Sequence, residues 1–222
     1  MGRLYARFYD RASAKYEATV IGPRRDALLA DAAGTVLELG AGTGANLGRY
    51  PTTVTRLLLT EPDPHMRRRL CGREELARSP AEVLDAPAER LPVTDASVDT
   101  VVTTMVLCSV DDVDATLAEV RRVLRPGGRF LFLEHVRASD PAVSRWQDRL
   151  TPLGRRLGNG CHLNRDTLTA IRAAGFRVDD LTTHPTPGRA ERLQPMVQGI
   201  ATASSTEPRR DPHPPAEGAA PA

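Results

Sequence analysis

The sequence predicts an α/β fold built on a doubly wound, mostly parallel sheet. Three observations lead there. Short apolar runs alternate with amphipathic stretches from Thr35 to Val136. The runs are near-continuously apolar, as strands covered on both faces require. The first run ends in a glycine-rich turn.

The strands are read as TVLEL (Thr35 to Leu39), RLLLT (Arg56 to Thr60), a weaker AEVLDA, Ser97 to Met105 and Arg129 to Val136. Helical patterns cover Arg24 to Ala33, Pro64 to Ala77 and Asp111 to Leu124. The last is the clearest. Val113, Leu117, Val120 and Leu124 recur at helical spacing. Asp111 and Asp112 suit its start, and Pro126-Gly127-Gly128 its end. Beyond Val136, Ser139 to Leu157 reads as a helix carrying Trp146, taken as a packing anchor under a substrate lid. The turn GNGCHLNR follows, then a helix from Arg165 to Ala174 and strands at Phe176 to Thr183 and Met196 to Ala203. Ligands of such sheets bind at the carboxyl ends of the strands.

The 222 residues suit one domain with a good core. Residues 34–203 are assigned to it. Residues 1–33 form a helical segment in which Tyr5, Phe8, Tyr9 and Tyr16 suggest a lid. Residues 204–222 have no aliphatic side chain larger than Ala and are expected to be disordered. A net charge of +2 gives no polybasic footprint for nucleic acid. No apolar run is long enough to span a bilayer, and no signal-peptide stretch opens the chain, so a cytoplasmic location is expected. Three cysteines make no disulfide framework. No CxxC or HExxH spacing occurs, so no metal is expected. Nothing in the sequence sets an oligomeric state.

The strongest local signal is VLELGAGTGANL: a strand, then Glu38-x-Gly40-x-Gly42-x-Gly44, then an expected helix start at Ala45-Asn46. Glycines let the chain turn sharply and let a ligand approach the backbone. Free N–H groups at a helix start would meet a carboxylate. Glu61 ends the second strand, where a ribose needs its two hydroxyls held. The loop alone also fits the dinucleotide pattern through Gly40, Gly42 and Ala45, so a nicotinamide cofactor stands as a rival.

Three blocks decide between them: the Glu38–Gly44 motif, AERLPVTDASVDTVV and VRRVLRPGGRFLFLEHV. In this order and spacing they resemble the class I S-adenosylmethionine-dependent methyltransferases. The resemblance implies a Rossmann-like sheet of seven strands with the last antiparallel. It implies S-adenosyl-L-methionine as cofactor, with Glu38, Gly40, Ala41, Gly42, Gly44 and Asn46 facing its methionine part. Glu61 and Pro62 would meet the ribose, with Met66, Thr104 and Met105 nearby, and Ala88-Glu89 would flank the adenine. One departure stands out. Many relatives have Asp immediately before the Ala-Glu pair, and here it is Pro87. Asp85 or Glu89 would have to substitute.

The later segments LEHV, Trp146-Gln147, GCHLNRDTL and PMVQGIATA are similar to a narrower group, the animal thiol methyltransferases (methyltransferase-like 7) and their bacterial relatives. That resemblance implies methylation of a thiol or another small nucleophile. It does not carry over the hydrophobic N-terminal anchor of the animal members. A thiol must ionise to attack, and a nearby His assists. Cys108 after the fourth strand, His135 ending the fifth, and His162 beside Cys161 on the later turn are the candidate catalytic residues. Each also has a purely structural reading. Methylation of oxygen, nitrogen or carbon on a metabolite or phospholipid head group, a nicotinamide-dependent oxidoreductase and a non-catalytic cofactor-binding protein are the alternatives.

Overall fold

The computed structural model describes residues 3–79, 81–157, 160–184 and 194–203, with side chains from Asp10 onward except that of Leu157. The 204–222 tail and the side chains of Tyr5, Phe8 and Tyr9 lie outside the described residues. The strands are β1 Gly34–Leu39, β2 Val54–Thr60, β3 Ala81–Leu84, β4 Val98–Thr104, β5 Leu124–His135, β6 Phe176–His184 and β7 Met196–Ala203. They form one sheet in the order β3-β2-β1-β4-β5-β7-β6. Pairings from β3 to β5 are parallel. Only β7, the last strand, runs against its neighbours β5 and β6. The predicted sheet, with its antiparallel last strand, is the one observed.

The helices are α1 Arg3–Tyr16, α2 Gly22–Leu29, α3 Pro64–Cys71, α4 Glu74–Ala77, α5 Val113–Val123, α6 Pro141–Leu157 and α7 Thr167–Ala173. A π-helical turn, Glu17–Ile21, joins α1 to α2. Strand alternation splits the core into two layers. Leu37, Val101, Phe130 and Phe132 pack with Leu117 and Val120 of α5 and Ile171 of α7. Val36, Leu57, Val102 and Leu133 pack on the other face with Leu28 and Leu29 of α2 and Leu70 of α3. Among the described residues, no helix is long and apolar enough to cross a membrane.

Four expectations are corrected. The helix read over Pro64 to Ala77 breaks at Gly72 into α3 and α4. Helix α5 ends at Val123, before Pro126-Gly127-Gly128 as expected, but the fifth strand, expected from Arg129, begins at Leu124 and includes those three residues beside a register shift. No regular helix follows the glycine loop: Gly42, Gly44 and Gly48 have φ of 60°, 87° and 76°. That conformation breaks a right-handed helix, so the chain makes successive turns, Gly44 N–H to Ala41 O (2.9 Å) and Leu47 N–H to Gly44 O (3.1 Å). Trp146 is 55% exposed and is no anchor. Helix α6 docks instead through Gln147 and Thr151, both buried and one turn apart. Trp146 points off that face beneath the Arg149 guanidinium, 5.6 Å from its ring centre.

Phe132 is fully buried in the centre of β5, with its ring centre 5.6 Å from that of Phe130. Phe132→Ala is expected to lower the unfolding free energy by about 3–5 kcal/mol, as measured by urea denaturation.

Candidate active site

The parallel strands end on one edge of the sheet, and the loops there enclose a cleft of about 710 Å³. That is ample for a small-molecule site, typically about 300–1,000 Å³. Each loop contributes a wall. Gly40, Ala41 and Gly42 follow β1, while Glu61 and Pro62 follow β2, with Met66 reaching in from α3. Ala88 and Glu89 follow β3, Thr104 and Met105 end β4, and His135 ends β5.

Gly42 marks where a ligand can lie against the backbone. Its φ is 60°, and a Cβ built there meets nothing closer than Gly40 O at 4.0 Å. Gly40 serves packing instead, since a Cβ there would lie 2.9 Å from Val106 Cγ2. Glu61 is aimed by the backbone. Its Oε2 accepts from Gly42 N–H and its Oε1 from Asp63 N–H, each at 2.8 Å. A carboxylate has about four acceptor sites, so each oxygen keeps capacity toward the cleft. Burial raises the Glu61 pKa despite those two amides.

Glu38, Gly44 and Asn46 are not among the cleft-lining residues. Glu38 is buried below the loop, where Oε1 accepts from Asn46 Nδ2 (2.9 Å) and Oε2 from the Tyr50 hydroxyl (2.6 Å). Burial raises its pKa against the opposing pull of Tyr50, Arg25 and Asn46. Gly44 packs on Leu47 and Leu70, where a Cβ would come within 2.8–2.9 Å. Arg25, absent from the sequence assignment, completes this network. It is buried, donates to Asn46 Oδ1 (2.9 Å) and Thr104 Oγ1 (2.6 Å), pairs with Glu17 (2.8 Å), and lines the cleft. Only its place on the buried face of α2 could have hinted at this.

At the β3 side, Pro87 also lines the cleft. Asp85 does not; it is paired with Arg67 at 2.6 Å. Glu89 Oε1 accepts from the backbone amides of Asp111 and Asp112 (3.0 and 3.3 Å), bracing the entry to α5.

The β4 and β5 ends bring together Cys108, His135 and Cys161, whose ligating atoms all lie within 4.8 Å of one another. Cys108 and Cys161 are buried, and both are free thiols. Their contact and burial push the Cys108 thiol well above the usual range, while the same contact pulls Cys161 down against its own burial. Burial lowers the His135 pKa, but Cys108 and the charge of Glu134 outweigh it, and the net shift is upward. Both ring nitrogens of His135 are buried and, among the described residues, neither makes a hydrogen bond of normal geometry, although the Cys108 thiol lies close enough to raise the ring's pKa. His162 is not in the lining. Its backbone N–H donates to Cys108 O at 2.7 Å, and its Nδ1 lies 3.3 Å from the same oxygen.

Above the loop, Asp10 of α1 accepts from the Thr43 hydroxyl (2.5 Å) and pairs with Arg69 (2.6 Å). Burial acts to raise the Asp10 pKa, but these partners hold it below the usual carboxylate range.

Comparison with known proteins agrees with this architecture. Residues 37–132 match the family model described as a methyltransferase domain. The chain is 38% identical over 179 residues to the thiol S-methyltransferase TMT1B of Rattus norvegicus, covering 75% of this chain and 70% of that protein. It is 37% identical over 177 residues to the human thiol S-methyltransferase TMT1A, at the same coverage. An S-adenosylmethionine-dependent methyltransferase from Mesorhizobium loti shares the fold, with a TM-score of 0.57, 20% identity, and 81% and 95% of the two chains covered. The cleft at the strand ends, the open backbone at Gly42 and the oriented Glu61 carboxylate fit the cofactor of that family, and the chain belongs to the class I S-adenosylmethionine-dependent methyltransferases, in the group that includes the thiol S-methyltransferases.

Proposed function

We propose that this methyltransferase acts on small thiols, and that its cleft is divided between cofactor and acceptor on either side of β1. The observation that carries the reading is the Cys108–His135–Cys161 cluster at the β4 and β5 ends, while Glu61 follows β2 in the same cleft. The similarity to thiol S-methyltransferases supports it independently. When bound, the cofactor supplies a methyl group made electrophilic by its sulfonium.

The chain's own residues do the rest. Glu61 holds the two ribose hydroxyls through the acceptor capacity its backbone amides leave open. The backbone at Gly40, Ala41 and Gly42 faces the methionine part. Arg25 presents positive charge to the carboxylate of that part, the task expected of a helix start that is not there. Pro87, Ala88 and Glu89 flank the adenine, with Asp85 engaged elsewhere by Arg67. The acceptor lies against Met105 and the cluster, aligned for attack, which is most of what methyl transfer needs. Ionising the thiol falls to the cluster. His162 acts as a positioning residue through Cys108 O. Helix α1 serves as a cover over the glycine loop, tied down through Asp10. The free thiols suit a reducing compartment, and we read the chain as cytoplasmic.

Glu61→Ala is expected to weaken S-adenosylmethionine binding by about 1.5–3 kcal/mol, measured by calorimetry, with the melting temperature of the free protein little changed. Because the Glu61 pKa is raised, native affinity should fall as pH drops through that raised value. An exposed glutamate would show the fall at lower pH.

Asp10→Ala removes the tie between α1 and the loop, and deletion of residues 1–18 removes the cover. Both should raise the cofactor dissociation constant, and unchanged affinity in both would refute the cover.

In an acceptor panel followed by mass spectrometry, alkyl thiols should be methylated in preference to matched alcohols and amines. His135→Ala should abolish that activity while retaining cofactor affinity. Turnover confined to oxygen or nitrogen acceptors would count against thiols.

A further inference from the structure

The turn around Cys161 has no part in holding the cofactor, yet it is fastened to the acceptor end of the cleft. His162 N–H donates to Cys108 O at 2.7 Å. Arg165 Nη1 donates to Leu107 O (2.6 Å) and Val110 O (2.8 Å). Gly160 has a φ of 83°, and a Cβ there would lie 2.9 Å from Ser109 O, so the close approach requires glycine. The effect of these contacts is to hold Cys161 against Cys108 and His135.

Three sulfur and nitrogen donors then share one small space. Their ligating atoms lie within 4.8 Å of one another. Ligands of a tetrahedral zinc at bond lengths of about 2.0–2.3 Å stand roughly 3.4–3.8 Å apart, a difference that small side-chain rotations close. A second observation points the same way. Neither ring nitrogen of the buried His135 imidazole meets hydrogen-bond geometry with a described residue, and the strongest polar influence on it is the Cys108 thiol, so the ring is left available to a ligand beside that sulfur.

We propose that Cys108, His135 and Cys161 form a three-ligand zinc site whose fourth position opens to the cleft and takes the acceptor thiol. Two thiolates and an imidazole match the borderline softness of zinc, and three protein ligands with one open position is the arrangement of a catalytic zinc. The inference rests on the thiol reading and deepens it. A thiol bound to the metal gives its proton to solvent and remains as thiolate. A sulfur lone pair then forms the new S–CH3 bond as the methyl–sulfonium bond breaks. The product is a neutral thioether, a weak zinc ligand that leaves. No oxidant or reductant is needed. Two protein thiolates neutralise the ion, and the third, from the acceptor, adds one negative charge within the field of Arg24 and Arg165.

The test uses the full chain, stripped with a chelator and titrated first with zinc chloride and separately with cobalt(II) chloride. We expect about one ion per chain. The cobalt form should show the near-ultraviolet thiolate-to-metal band, and an alkyl thiol, but not the matching alcohol, should shift its visible bands. Cys161→Ser should weaken zinc binding by more than about 100-fold, because even groups that only orient a ligand are worth 10–100-fold. Its cofactor affinity should stay at the native value, which shows that the variant is folded. No thiolate band in the native chain, equal zinc affinity in Cys161→Ser, or visible bands unmoved by thiol would each overturn the site. Undiminished thiol methylation by the stripped chain would overturn the metal and leave the thiol reading standing. Zinc held by these ligands in a chain that methylates only oxygen or nitrogen would overturn the thiol reading, and with it the occupant of the fourth position.

Discussion

The buried carboxylate of Glu38 anchors the glycine-loop side of the cleft. It accepts from Asn46 and Tyr50, and Asn46 in turn accepts from Arg25, which also donates to Thr104. These residues come from β1, the glycine loop, α2 and the end of β4. A buried polar network of this kind is favourable only when its members are satisfied together. It therefore fixes the loop, the strand end and the N-terminal helices as one unit. It also carries the Arg25 guanidinium to the cleft wall beside the glycine loop, where no regular helix starts.

The acceptor side is organised by a different constraint. Strand β5 ends in Glu134 and His135, which point to opposite faces of the sheet as strand geometry requires. Glu134 accepts from Val106 N–H at 3.1 Å and so holds the turn after β4, where Met105 sits at a φ of 60°. Backbone strain of this kind persists only where the surroundings over-determine it. The result is that Cys108 is presented toward His135. The later turn completes the arrangement by bringing Cys161 across the cleft mouth.

Much of the fold was legible because its signals are local. The central strands β1, β2, β4 and β5 were legible as apolar runs, since strands covered on both faces must be largely apolar, while the edge strands β3 and β6 carry a weaker, more polar pattern. The capping Asp112 and the spacing of Leu117 and Val120 gave α5 almost to the residue. Glu61 was legible because it ends a strand beside a glycine turn. Trp146 was not, since hydrophobicity does not say which side of an amphipathic helix is covered, and here Gln147 and Thr151 carry the docking.

The sequence by itself therefore determined the sheet, the glycine turn, the acid that follows the second strand and the family. These depend on short-range patterns and on blocks set close together along the chain. Only the tertiary structure decided that Glu38 and Asn46 lie beneath the loop, that Arg25 joins them and lines the cleft, and that Cys161 rather than His162 faces the cleft. It also showed why the absence of a CxxC spacing says little here about metal. Cys108, His135 and Cys161 belong to three distant segments, and their proximity exists only once β4, β5 and the pinned turn are packed together.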